Sequence, residues 1–152
     1  MINITNRQRK IKVNLKKMEH HLSVMLQALG YPNFDVGVLL TTNATIRRYN
    51  RDYRSKDKAT DILSFPYHTQ LKPGQKIKVS DPDDKNLGDM IISLEYVQKD
   101  APKRWDRSFE EHLTHLLAHG LAHLLNYDHQ TDEEFAVMQK VERKLLKAVQ
   151  DV

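Results

Sequence analysis

The stretch from Ser108 to Leu125 limits the possible folds more than any other part of this chain. Ser108-Phe109-Glu110-Glu111 has the pattern of a capping box, in which Ser108 satisfies the amide of Glu111 and the Glu111 side chain reaches back. The helix it opens should run to about Leu125. Leu113, Leu116, Leu117, Leu121 and Leu124 make one apolar face, which has to be buried against another layer. Beside that face His112, His115, His119 and His123 fall within an arc of roughly 80°, counting about 100° per residue.

The rest of the chain alternates between helical and strand periods, as in a mixed α and β domain. Its 152 residues fit a single domain, 1–152, with room for one hydrophobic core. Asn14 is placed to cap a helix over 14–29, with Leu15, Met18, Leu22, Met25, Leu26 and Leu29 at helical spacing and Gly30 as its stop. Residues 34–41 read as a strand with Val36, Val38 and Leu40 on one face. Thr42 is suited to cap a short helix carrying Ile46 and Tyr49, and 50–61 reads as a polar loop. Ile62 to Phe65 is a short apolar run that Pro66 ends. Residues 67–86 read as a surface excursion with a brief strand at Lys76–Val79. Gly88-Asp89 leads into a buried strand at Met90, Ile91 and Ile92, and Ser93 is placed to cap a helix beginning at Leu94. The segment 100–107 is polar and holds Pro102 and the only tryptophan, Trp105. Thr131-Asp132-Glu133-Glu134 is a second capping box, opening a helix with Phe135, Met138, Val141, Leu145 and Val149 at core spacing.

Five of the eight histidines lie between 112 and 129, and the chain has no cysteine. Disulfides and thiolate metal sites are therefore excluded, and any transition-metal site must use His, Asp and Glu. His119 and His123 are four apart, so their rings leave one helix face one turn apart. Asn126 can take a left-handed conformation at low cost, which lets Asn126-Tyr127-Asp128 turn and bring His129 back to the same ion. Three imidazoles leave a fourth tetrahedral position open, as in catalytic rather than structural zinc sites. The set also admits nickel, copper or iron, and His115 with His119 is a rival pair at the same spacing. For His112 and His115, packing or a hydrogen bond to a neighbour is the favoured reading.

The run His119-Gly120-Leu121-Ala122-His123-Leu124-Leu125-Asn126-Tyr127-Asp128-His129 resembles the metal motif of the YbeY family of ribosomal RNA maturation endoribonucleases. Tyr53-Arg54-Ser55-Lys56-Asp57-Lys58-Ala59-Thr60-Asp61-Ile62-Leu63-Ser64-Phe65-Pro66 is similar to that family's arginine-bearing loop and following strand. Leu87-Gly88-Asp89 resembles its LGD turn before a strand. The resemblance implies an α+β fold, a four-stranded mixed sheet packed with about five helices and the metal-bearing helix central. It implies one zinc ion on His119, His123 and His129, and a functional, catalytic role for Arg54 beside His119. It further implies a single-strand-specific endoribonuclease acting in small-subunit ribosomal RNA 3′-end maturation and ribosome quality control, with RNA and the small subunit or its assembly factors as partners. One departure is visible: the family usually has glycine where this chain has Asn126.

A tri-imidazole ion keeps its full 2+ charge, which can acidify water or polarise a phosphoryl oxygen. The guanidinium of Arg54 can grip two phosphate oxygens. Around it lie Arg47, Arg48, Arg51, Lys56 and Lys58, and the window 47–58 carries a net charge of +4, equal to that of the whole protein. Such a window can hold a phosphate backbone, or can simply be a solvated face. Asp128 is a candidate to orient a ligand ring or to act as a base, or is an ordinary turn aspartate. Tyr53, Phe65 and Tyr67 are candidates to stack on unpaired bases, with core packing favoured for Phe65.

Two rival functions stay open at this level: a peptidase-like zinc hydrolase, and a non-catalytic ribosome-associated module that zinc merely stabilises. Against the first, the glutamate of the HExxH pattern is replaced by Gly120. No stretch approaches the roughly 18 apolar residues of a membrane span, and the N-terminal residues lack an apolar signal core. A cytoplasmic protein without membrane association is the expectation.

Overall fold

The computed structural model of the protein describes residues 1–151. In chain order the elements are β1 (Ile2–Asn6), α1 (Leu15–Leu29), β2 (Asp35–Thr41), α2 (Asn43–Arg54), β3 (Ile62–Pro66), a 3₁₀ turn (Pro82–Asp84), β4 (Asn86–Ser93), α3 (Leu94–Arg104), α4 (Phe109–Leu124) and α5 (Asp132–Gln150). The four strands form one mixed sheet in the order β1-β2-β4-β3. β1 and β4 run parallel to β2, and β3 runs antiparallel to β4. This is the expected α+β arrangement of four strands and five α-helices. No helix of the described residues is long and apolar enough to cross a membrane.

Strand alternation decides which helices lie where. Val36, Val38, Leu40, Met90 and Ile92 point to one face and merge with Met18, Leu22, Met25 and Leu26 of α1, with the α4 leucines and with Leu145 of α5. Each fully buried leucine here is worth roughly 1.5–3 kcal/mol relative to exposure. On the other face Leu63 and Ile91 pack against Ile46 of α2 in a smaller cluster. α4 touches β3, β4, α1, α3 and α5, so the histidine-bearing helix is central.

Gly120 lets α4 sit close on the sheet. A Cβ there would meet Met90 Sδ at 2.2 Å and Ile62 Cδ1 at 2.9 Å. The position therefore faces the sheet, where no glutamate fits, and the proton shuttle of an HExxH peptidase has no place in this fold.

Several boundaries differ from the sequence reading. β1 was not anticipated. α2 continues through the supposed loop to Arg54 and ends on Ser55, whose φ of 58° is left-handed. α3 runs through Pro102 to Arg104, because a proline in the last turn leaves only one hydrogen bond unmade. Lys76–Val79 forms no strand; within the excursion the regular element is the 3₁₀ turn, capped by Asp81. Leu87-Gly88-Asp89 is not a turn before a strand but part of β4, where the pairing with β2 shifts register and Gly88 has φ 119°. Of the two capping boxes the Ser108 and Thr131 halves form, each hydroxyl accepting the amide three residues on. Phe135 is exposed rather than core.

Candidate metal centre and its cleft

α4 ends where Leu125 closes its last turn, and Asn126 reverses the chain with φ 66°. The reversal brings His129 back to the two α4 rings. His119, His123 and His129 each present a ring nitrogen, all within 4.8 Å of one another. The Nε2 atoms of His119 and His123 are 3.1 Å apart. Two nitrogens on one tetrahedral zinc, each about 2.0–2.1 Å from it, stand about 3.3 Å apart. His115 stands outside this group, which resolves the rival pairing.

What holds the rings is equally specific. His119 donates from Nδ1 to Glu142 Oε1 of α5 at 2.6 Å. His123 donates from Nδ1 to the carbonyl of Tyr127 at 2.9 Å. Both bonds fix the tautomer that leaves Nε2 as a lone-pair donor toward the shared point, the outer-shell arrangement typical of zinc ligands. Burial, and then the neighbouring rings of His119 and His129, push the pKa of His123 down to about 4. Its ring is thus neutral at pH 7 and able to coordinate. The donor set fits a transition-metal ion.

Sequence reasoning missed Glu142, which looks like any glutamate on the face of a helix. The carboxylate bonded to a ring of the cluster is Glu142 and not Asp128. Asp128 instead accepts the backbone amide of His129 at 2.8 Å, so it shapes the turn that carries His129.

A second cluster, Asp61, Asp100 and His112, also lies within 4.8 Å. It suits a cation poorly. Arg107 donates to His112 Nδ1 at 3.3 Å, which places the ring proton on Nε2, a buried atom with no partner. His112 packs beneath Trp105, ring centroids 5.5 Å apart, as expected of a structural histidine.

Arg54, at the end of α2, shares a cleft of about 820 Å³ with His119, His123 and His129. Tyr53, Phe65 and Asp128 line the same cleft, so Phe65 is a wall residue as well as a packing one. The other cations of the window do not join it. Arg47 is bound to Asp57 by two hydrogen bonds of 2.8 and 3.2 Å, and Arg51 to Asp52. Arg48 lines a separate hollow on the open face of the sheet. Lys56 and Lys58 are exposed, as is Tyr67.

Asn126 does more than turn the chain. Its side-chain amide donates to the carbonyls of His68 and Leu71 at 2.7 and 2.8 Å, tying the 67–85 excursion to the metal turn. Asn126→Gly should keep the turn but lose the tie, lowering stability by about 1–2 kcal/mol in urea titrations. An unchanged midpoint would show that the two bonds carry no weight.

Known proteins share the fold and much of the sequence. The chain superposes on a solution structure of a Thermotoga maritima protein with a TM-score of 0.59 at 22% identity, covering 99% of this chain and 93% of that one, which supports the fold. It is 35% identical over 143 residues to the human protein named endoribonuclease YbeY, spanning 94% of this chain and 84% of the human one. Against the protein of that name from Desulforamulus reducens the identity is 37% over 147 residues, 94% of this chain and 93% of that protein. The sequence model described as Endoribonuclease YbeY matches residues 3–150, and the chain belongs to that family.

Proposed function

We propose that the protein is a zinc-dependent, single-strand-specific endoribonuclease acting in 3′-end maturation of small-subunit ribosomal RNA and in ribosome quality control. Residues 1–152 act as one domain, with the small subunit or its assembly factors as partners in the cytoplasm. The observation that carries this reading is that Arg54 and the three imidazoles line one cleft.

His119, His123 and His129 hold the ion, with Glu142 and the Tyr127 carbonyl aiming two of the rings. When bound, zinc supplies Lewis-acid charge to a phosphodiester and acidifies water. Arg54 places a bidentate cation on the phosphate oxygens, where negative charge grows in the transition state. It is exposed and has no ion-pair partner among the described residues, so its guanidinium is available. Lys56 and Lys58 add diffuse attraction for the backbone, whereas Arg47 and Arg51 are engaged by local carboxylates.

The test uses zinc-loaded wild type and Arg54→Glu, purified in parallel so that contaminating nucleases cancel, on unstructured RNA and on casein. Arg54→Glu should cut RNA about 10²–10³-fold more slowly, with zinc content and urea midpoint unchanged and casein untouched by either protein. Equal RNA cleavage by both proteins, or proteolysis in place of it, would end this reading.

A further inference from the structure

A second hollow, of about 270 Å³, opens on the other side of the triad. It shares Asp61, Ile62, His119 and His129 with the Arg54 cleft, so the metal centre stands on the partition between the two. A phosphodiester seated at the triad has a nucleotide on either side of it, and the two adjoining hollows offer one place for each. We propose that this hollow is a subsite for the unpaired nucleobase on one side of the scissile phosphate, with Trp105, Phe135 and Gln139 as its recognition residues. The inference rests on the endoribonuclease reading above and adds to it.

The hollow has the chemistry of a base site. Its floor is apolar, made by the buried Leu116 and Met138. Two large aromatic residues line it while remaining open to solvent, Trp105 at 43% and Phe135 at 53% exposure. The core does not explain either exposure. The volume falls below the roughly 300–1,000 Å³ of pockets that enclose drug-sized ligands, which suits one flat ring system.

Trp105 is also held in place before any ligand arrives. His112 lies nearly parallel beneath it at 24°, its indole N–H donates to Asp100 at 3.3 Å, and the Arg104 and Arg107 guanidinium groups stand 5.5 and 5.2 Å from the ring centroid. A fixed aromatic loses little entropy on stacking. Arg107 also lines the hollow and brings positive charge toward an adjoining phosphate. The carboxamide of Gln139 has no hydrogen-bond partner among the described residues and offers one donor edge and one acceptor edge, the pairing that a base edge presents. A protein segment would satisfy the aromatics but leaves the arginine and the continuity with the phosphate site unused.

Trp105 is the only tryptophan, so its emission reports on this hollow alone. Zinc-loaded protein is titrated with single-stranded RNA pentanucleotides, intact or with one abasic ribose moved along the chain. Anisotropy of end-labelled RNA gives the affinity independently. Intact RNA should quench Trp105, and one abasic position should weaken binding about tenfold. Phe135→Ala and Gln139→Leu, checked for an unchanged urea midpoint, should weaken intact RNA by a similar factor and erase most of the abasic penalty, as a double-mutant cycle requires of a direct contact. RNA that binds and is cut while Trp105 emission stays constant, or an abasic penalty that persists in Phe135→Ala, overturns the subsite and leaves the nuclease reading standing. RNA neither bound nor cut by wild type overturns both.

Discussion

His129→Ala is expected to empty the metal site and to slow RNA cleavage by about 10³-fold, the several kcal/mol that a Lewis-acid cation contributes at a phosphoryl centre. His129 is the cleanest of the three candidate ligands to remove. It is exposed, whereas His119 and His123 are partly buried on the central helix, so its loss leaves packing intact. Elemental analysis should find less than stoichiometric zinc in the variant, and its urea midpoint without added metal should equal that of stripped wild type. Glu142→Gln gives the graded version. The ring of His119 loses its charged acceptor at 2.6 Å, and zinc affinity should fall about 10–100-fold while all three ligands remain. If His129→Ala retains both its zinc and its activity, the assignment of the third ligand is wrong.

The largest expected effect on stability lies far from the histidines in sequence. Gly88→Ala should cost more than about 3 kcal/mol, because two separate penalties combine. A Cβ at Gly88 would stand 2.2 Å from the carbonyl oxygen of Phe65 and 2.9 Å from the amide nitrogen of Tyr67, and both are backbone atoms in or just after the adjacent strand β3. The φ of 119° is also one that side-chain-bearing residues rarely adopt. Gly30→Ala is the control, since Gly30 has φ 85° but nothing within 4 Å of an added Cβ. It should lose only about 1 kcal/mol. Matched urea midpoints for the two variants would refute the steric part of this account. β3 leads from the Arg54 loop to the cleft wall, so a parted β3–β4 pairing would also misplace Asp61 and Ile62 beneath the triad.

The readable parts of this sequence are those where a local rule and the tertiary structure coincide. α1 was legible end to end because Asn14 caps it, four of its apolar positions are buried, and Gly30 stops it in the left-handed region. The grouping of the three histidines was legible because two of them share one helix face and the third follows within six residues, so no long-range contact had to be guessed. β1 was not legible: in Ile2–Asn6 two isoleucines alternate with polar residues, at the sheet edge and with one face open. The second half of α2 hid for a related reason. Between Asn50 and Arg54 no apolar side chain is buried, so periodicity gives no sign of the helix, and Asn50 is held by donating to the carbonyl of Lys58 at 2.9 Å. Glu142 was invisible because its partner is 23 residues away on another helix. The LGD segment was recognised as a motif and misplaced as a structure, since a glycine at a register shift within a strand looks like a turn in one dimension.

The bond between Glu142 and His119 also sets an order of assembly. The three imidazoles precede α5 in the chain, but the carboxylate that aims one of them arrives with that helix. A polypeptide still being translated would thus display all three imidazoles, with His123 already held by the Tyr127 carbonyl, before His119 is steered into place. Such a chain would remain poorly armed until α5 had emerged and docked.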